Sequence, residues 1–152
     1  MEIAIDSHHW VEVDPLYTEE RGGPSLTVRV RIVSGRFTGA IDEVGLWRDE
    51  VERFVTALER LERERAGEAM LGSMSPDEFG FSLRIADRAG HVALTTWLRR
   101  PLLSGPMVGT EPQANVVALV ERVDPTTLPQ ILDEFRLLLA FRRPYPGMSE
   151  PC

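Results

Sequence analysis

The residues best suited to bind a metal ion form a continuous run near the N-terminus, Asp6-Ser7-His8-His9, and His91 could supply a third imidazole from a distant segment. Adjacent residues of an extended segment point to opposite faces, so His8 and His9 are poorly placed to share one ion. The H-E-x-x-H spacing of catalytic zinc sites is absent. We therefore expect no metal and no other cofactor.

Neighbouring carboxylates are the next candidates for chemistry, and they occur as the pairs Asp42-Glu43, Asp77-Glu78 and Asp133-Glu134. Two carboxylates catalyse a reaction only where they face each other across a cleft, which adjacency in sequence does not establish. The G-x-S-x-G elbow of serine hydrolases is also absent. We therefore predict no catalytic residue and interpret the acidic pairs as solvent-exposed.

Residue types exclude further classes of chemistry. All 17 basic residues are arginine, so neither a P-loop lysine nor a Schiff-base lysine is available. We attribute the lack of lysine to a GC-rich bacterial genome. The only cysteine is Cys152, which excludes an intramolecular disulfide and a cysteine metal cluster and is consistent with a reducing compartment.

The charge balance indicates which partners suit the chain. Its 152 residues include 24 acidic and 17 basic side chains, with a net charge of -7. Such a protein repels phosphate backbones at long range, so we expect no nucleic-acid partner. No run reaches the roughly 18 apolar residues of a membrane span, and Met1 to Trp10 lack the pattern of a signal peptide. We therefore expect a cytoplasmic protein without membrane contact.

Hydrophobic periodicity predicts the elements that position these side chains. Apolar and polar residues alternate along several short segments, which predicts antiparallel strands joined by turns at Ser34-Gly35 and Asp87–Gly90. The last strand is apolar on both faces from Val116 to Val120, which predicts that the sheet is covered on both sides there. The predicted strands span residues 2–5, 9–13, 26–33, 37–41, 68–71, 79–85, 92–98 and 113–123.

Two segments repeat their apolar residues at the helical period. One predicts a helix from Leu128 to Ala140 that starts with a capping box at Thr127–Gln130. The other predicts a helix from about Trp47 to Glu64 whose apolar side is formed by Trp47, Val51, Phe54, Val55, Leu58 and Leu61. The fold class is therefore α+β, an antiparallel sheet of six to eight strands with two amphipathic helices.

The remaining segments are connections and a tail. We predict one domain over residues 1–142, a flexible tail over 143–152, and loops at Asp14–Pro24 and Arg99–Pro112. The second loop is rich in proline and glycine but carries four apolar residues, which argues that it packs on something. These side chains either seal the core or form a contact patch, and composition does not separate the two: Leu102, Leu103, Met107 and Val108.

One tryptophan and three arginines are the remaining binding candidates. Trp97 alternates onto the side of its strand opposite the apolar neighbours, where it could contact a partner. Arg29, Arg31 or Arg84 could instead hold an anion between the sheet and the 99–112 loop, although arginine at such positions is more often solvated. The candidate interaction surface therefore consists of Trp97, Leu102, Leu103, Met107 and Val108.

Several short motifs occur in a set order along the chain. They are the alternating strand through Val28 and Val30, Phe37-Thr38-Gly39, Asp49–Phe54, Gly67-Glu68-Ala69, Gly90-His91-Val92 and Asp124–Pro129. In this order they resemble the WapI-like family of small bacterial immunity proteins, over most of the chain. The resemblance rests on turns, caps and core positions, and it implies a protein that neutralises a toxin by binding it.

The missing catalytic constellation, the net charge and the resemblance together favour a non-enzymatic interaction protein, an immunity protein whose acidic surface masks a basic protein partner. Homo-oligomers are compatible with this reading. The alternative is a small-molecule binding protein or an enzyme of unknown reaction, with its site between the sheet and the 99–112 loop.

Overall fold

The structure is a computed structural model that describes residues 1–20, 24–101 and 114–147. The α+β class is confirmed, with eight strands and two α-helices in these residues. A short 3-10 turn, Pro125–Thr127, precedes the second helix. The order is β1 (Glu2–Asp6), β2 (His9–Glu19), β3 (Ser25–Ser34), β4 (Phe37–Trp47), α1 (Arg48–Glu64), β5 (Glu68–Gly72), β6 (Phe79–Ile85), β7 (Val92–Pro101), β8 (Ala114–Val123) and α2 (Leu128–Ala140).

The strands form two antiparallel sheets, each a meander in which neighbours in sequence pair. The first sheet has the order β1-β2-β3-β4 and the second β5-β6-β7-β8. Between β3 and β4, Gly35 has a φ of 63°, a left-handed conformation that glycine adopts without a Cβ clash. Alternation predicts each strand but not the sheet to which it belongs, so the division into two sheets is a property of the tertiary structure.

One core joins both sheets and both helices. The ring centroid of Phe54 in α1 lies 4.6 Å from that of Phe135 in α2 and 5.9 Å from that of Phe81 in β6. Where the sheets meet, Gly39 of β4 faces Val117 of β8 so closely that a Cβ at position 39 would overlap the valine. The sheets are therefore held together by shared core packing.

Helix α1 begins one residue later than its apolar pattern predicts. Val51, Phe54, Val55, Leu58 and Leu61 are buried as expected, but Trp47 is 37% exposed. The prediction that Trp47 belongs to the apolar side of the helix was wrong. Trp47 is the last residue of β4, where it is still paired with β3 in extended backbone, and strand pairing sets the direction of its side chain.

The bounds of α2 agree with the prediction, but its N-terminal cap does not. Asp124 supplies the capping side chain, since its Oδ1 accepts a hydrogen bond from the Thr126 N–H at 2.8 Å. Thr127 has helical backbone and makes no side-chain capping bond. The 3-10 turn carries the chain into α2, so the helical start moves to Asp124 and the predicted capping box does not form.

Residue Arg48 links the two helices from a buried position. Its Nη1 donates to the carbonyl oxygen of Leu139 at 2.8 Å, at the C-terminal end of α2 where a cation is favourable. Desolvation by burial, with the nearby Arg142 charge, lowers the pKa of this guanidinium. The buried arginine therefore acts as a tether between α1 and the end of α2.

Strand β2 extends through residues 14–19, which were predicted as part of a loop. A register shift between Pro15 and Tyr17 accommodates the proline, which has no N–H for the ladder. Farther along, the N–H and hydroxyl of Thr18 donate to the carbonyl oxygen of Arg143 at 2.6 and 3.1 Å, and Tyr145 packs edge-on against Tyr17. The C-terminal segment thus extends the contacts of β2.

Strand β8 is covered on only one side by the described residues. Val117 and Leu119 are buried, whereas Val116 and Val120 are 61% and 66% exposed. The prediction of cover on both sides was therefore wrong for this part of the chain. Both helices pack on the inner side of the second sheet, which leaves its outer side bare of described elements.

Candidate interaction surfaces

The outer side of the second sheet carries a patch of exposed apolar side chains. Met70, Val116 and Val120 are 61%, 61% and 66% exposed, and Ala118 lies between the two valines on the same side of β8. Trp97 of β7 is half-buried and faces the same way, whereas Leu94, Thr96 and Leu98 face the core. We call this surface the Trp97 face, defined by Met70, Trp97, Val116, Ala118 and Val120.

Gly80 determines the orientation of Trp97. The two residues are directly paired between β6 and β7, and a Cβ at position 80 would overlap the indole ring. The ring therefore lies across the glycine and shields its backbone, as aromatic residues do for glycines in sheets. Trp97 thus has a structural role besides any role in binding, and its ring is held in place before any partner arrives.

Arginines surround the Trp97 face. Arg84, Arg99 and Arg122 lie on the outer side of β6, β7 and β8, and Glu68 of β5 is the acidic residue among the outward-facing strand positions. Nη1 of Arg122 lies 3.7 Å from Oδ2 of Asp87. This side of a net acidic protein is therefore locally basic.

The outer side of the first sheet has the opposite charge. Its carboxylates are those of Glu2, Glu12, Asp14, Asp42 and Glu43, which we call the acidic face. The arginines among them are Arg29, whose Nε is 3.5 Å from Asp42 Oδ1, and Arg31, whose guanidinium carbon is 6.0 Å from the centre of the Trp10 ring. Carboxylates therefore outnumber guanidinium groups on this side.

Crowding on the acidic face has an electrostatic consequence at Glu12. A hydrogen bond with the Asp14 side chain, desolvation and repulsion by the Asp14 charge raise the pKa of Glu12, while Arg31 acts in the opposite direction. The N-terminal amino group lies 3.7 Å from Asp14 Oδ1. Ionisation of Glu12 is thus less favourable in the folded protein than in the unfolded chain.

The histidines pair with aspartates. Nδ1 of His9 lies 2.9 Å from Asp6 Oδ1, and Nδ1 of His91 lies 2.8 Å from Asp87 Oδ2. These bonds, with backbone N–H donors, lower the pKa of both aspartates. In the described part of the chain, no group of three or more histidine, cysteine, aspartate or glutamate side chains is arranged to hold a metal ion.

The three arginines proposed to hold an anion are not brought together. Arg29 and Arg31 lie on the outer side of the first sheet, and Arg84 lies on that of the second. An open cavity of about 520 Å³ has a described lining that includes Ile41, Leu98, Arg100 and Val117. A second open cavity is lined by both Arg29 and Arg100, with the carboxylates of Asp42 and Glu43 beside them.

Of the predicted interaction surface, the structure describes Trp97. Leu102, Leu103, Met107 and Val108 lie outside the described residues. The acidic face was not predicted from the sequence, although Glu12 and Asp14 alternate with Val11 and Val13. That alternation, extended beyond residue 13, would have indicated the acidic side of the strand.

Comparisons with known proteins give one match. The model of the family described as "Immunity protein WapI-like family" matches residues 2–141, which include every described strand and both helices. No curated protein and no solved structure matches the chain. No helix among the described residues is long and apolar enough to cross a membrane.

Proposed function

We propose that this chain neutralises a toxin by binding it. The premise is that the chain belongs to the immunity protein WapI-like family. The observation that carries the proposal is the family match over residues 2–141. The proposal places this neutralisation in the cytoplasm and makes the toxin a basic protein.

The acidic face supplies the surface that suits such a toxin. Carboxylates on a sheet face raise the rate of encounter with a cationic surface and select against acidic partners. The pKa of Glu12 is raised first by its hydrogen bond with the Asp14 side chain, then by desolvation and by the Asp14 charge, and a cationic group of the toxin would favour the ionised form of both carboxylates. The locally basic Trp97 face would instead repel such a toxin at its rim.

The test begins with the gene beside this chain: if it encodes a large secreted protein with a basic C-terminal domain, that domain is the toxin, and it is expressed in bacteria with and without this chain. We expect the chain to restore growth and to co-purify with the toxin domain. The double variant Glu12→Gln with Asp14→Asn should raise the Kd at least about tenfold, equivalent to about 1.4 kcal/mol, and weaken its salt dependence.

The matched control removes two carboxylates from the helices, with Glu52→Gln and Asp133→Asn, and should leave the Kd within about twofold. Absence of both protection and complex formation would overturn the immunity role. Equal effects of the two double variants would retain that role and move the contact away from the acidic face.

A further inference from the structure

The Trp97 face is an apolar surface without a cover among the described residues. Met70 of β5 and Val120 of β8, each more than half exposed, lie on the two edge strands of the sheet, and buried Ser82 and half-buried Thr95 lie between them. Monomeric proteins rarely expose contiguous apolar patches of more than a few hundred Å². The two sheets also differ in this respect, since the outer side of the first sheet is lined with carboxylates.

We propose that this surface is covered by a second copy of the chain, packed face to face about a two-fold axis that runs parallel to the strands between β6 and β7. The inference does not depend on the immunity role. It rests on how the outward-facing residues are arranged in rows across the sheet.

Strand pairing defines these rows. One row crosses the sheet as Met70, Ser82, Thr95 and Val120, and the next as Glu68, Arg84, Ala93 and Arg122. Rotation about an axis along the strands lays β5 of one copy over β8 of the other, and β6 over β7. The rotation keeps each residue at the same height along the strands. Each row of one copy therefore faces the same row of the other copy, read from the opposite edge of the sheet.

The reversed rows match in chemistry. Met70 of one copy lies opposite Val120 of the other, and Ser82 lies opposite Thr95. Glu68 of each copy lies opposite Arg122 of the other, so the dimer contains this ion pair twice. Met70 and Val120 thus face each other, as do Glu68 and Arg122, while Arg84 lies opposite Ala93.

The other two-fold axis in the plane of the sheet gives a poorer match. An axis perpendicular to the strands lays each strand on its own copy and reverses the order of the rows. Arg84 would then face Gly80 of the second copy, and Arg122 would face Ala118. Glu68 would likewise face Gly72, so this axis forms no ion pair between the copies, whereas the axis along the strands forms the Glu68–Arg122 pair twice.

The size of the surface indicates a weak dimer. Three strand spacings span about 14 Å and the stretch from Val116 to Arg122 about 20 Å, an area of roughly 300 Å², which is small beside the roughly 800 Å² per partner of a standard interface. We therefore expect association that depends on protein concentration, with a Kd on the order of micromolar.

The test is sedimentation of the full chain over a wide concentration series. The wild-type protein should shift from monomer to dimer, and Val120→Glu should raise the dimer Kd at least about tenfold by placing a carboxylate against Met70 of the second copy. The control is Leu137→Glu, because Leu137 of α2 is also 67% exposed but lies away from the Trp97 face. It should leave the dimer Kd unchanged.

Charge reversal tests the axis itself. Glu68→Arg and Arg122→Glu should each weaken the dimer, and the double variant should restore it because the opposite charges are re-formed in the reverse sense. Melting curves of each variant confirm folding. A dimer that the double variant does not restore would overturn the proposed axis.

A wild-type chain that stays monomeric at every concentration would overturn the proposal. If Leu103→Asp also lowers the Tm of that monomer, the cover would be assigned to the segment 102–113 of the same chain. Equal loss of the dimer in Val120→Glu and Leu137→Glu would likewise contradict docking through the Trp97 face.

Discussion

The glycine at position 80 sets the shape of the Trp97 face. A Cβ there would overlap the indole of Trp97, which lies across the glycine on the neighbouring strand. We therefore expect Gly80→Ala to lower the free energy of unfolding by about 1 to 3 kcal/mol, the usual cost of overpacking. Chemical denaturation monitored by tryptophan fluorescence measures this loss.

Gly72 provides the matched control for that substitution. It is paired with Gly80 in the same row of the sheet, but a Cβ at position 72 would have nothing within 4 Å. Gly72→Ala should therefore be neutral or stabilise by roughly 0.5 kcal/mol, since alanine loses less backbone entropy in a strand. Equal destabilisation by both changes would mean that Trp97 does not rest on Gly80.

A second prediction at the residue scale concerns Glu12. Its pKa in the folded protein is raised above the ordinary value of 4.5, chiefly by the Asp14 side chain. The resulting penalty is absent below pH 4.5 and grows as the pH rises through the raised pKa. Glu12→Gln should therefore raise the free energy of unfolding at pH 7 by up to about 1 kcal/mol.

The same variant should lose that advantage when denaturation is measured at a pH below 4.5, where Glu12 is protonated in both states. A gain that persists at low pH would show that it comes from packing instead of charge. A stabilising change that weakens toxin binding is the pattern expected of a residue retained for function.

The sequence predicts the side of the sheet to which a residue points when the pattern of its own strand is sufficient. The alternation around Trp97 indicates its side of β7 because Leu94 and Leu98, which flank it at odd spacing, are apolar and belong to the core side. The neighbour on which it rests, Gly80, is on another strand and depends on register. No spacing within one strand carries that information.

At the scale of elements, α1 gives the sharpest test of core packing. Phe54 is 1% exposed and contacts the rings of both Phe81 and Phe135. Truncation to alanine leaves a cavity between α1, α2 and the second sheet, so we expect Phe54→Ala to cost about 3 to 5 kcal/mol.

The control on the same helix is Thr56→Ala, since Thr56 is exposed and the change should alter stability by less than about 0.5 kcal/mol. Urea denaturation of both variants decides the matter. A loss below about 1 kcal/mol for Phe54→Ala would contradict the packing of α1 on the second sheet.

The errors at this scale have a common physical origin. Trp47 fits the helical period of α1 but is held by strand pairing, and Asp14–Glu19 has loop-like composition but pairs with β3. In both places tertiary hydrogen bonding overrides a local pattern. The helices and strands with strong, uninterrupted periodicity, such as β6 and α2, were predicted with their bounds.

At the scale of the whole molecule, the two sheets present outer sides of different chemistry. The first carries the acidic face and the second the Trp97 face with its arginines. The net charge of -7 describes neither side, because it sums the charges of the whole chain. The fold places acidic and basic residues on different outer sides. We therefore propose a separate partner for each side, the toxin for the first and a second copy of the chain for the second.

The last prediction concerns the stability of the whole chain in acid. Asp6, Asp87 and Asp124 have pKa values below their ordinary 3.8, the first through backbone and His9 hydrogen bonds, the second chiefly through His91 and the third through Thr126. A carboxylate with a depressed pKa stabilises the folded state above the unfolded value, and this stabilisation is lost as the pH falls through the depressed pKa. Glu12 acts in the opposite sense, because its protonation relieves repulsion at a higher pH.

The free energy of unfolding should therefore rise slightly as the pH falls from 7 toward 4.5 and then decrease below 3.8. Urea denaturation across this range measures both the rise and the decrease at low pH, which we call the acid limb. Asp87→Asn should lower stability at pH 7 and flatten the acid limb, because the pair with His91 is already lost. Glu12→Gln should flatten only the rise between pH 7 and 4.5. An acid limb that is unchanged in both Asp87→Asn and Asp6→Asn would mean that the aspartate–histidine pairs do not hold the hairpin turns, and that acid unfolding begins elsewhere in the fold.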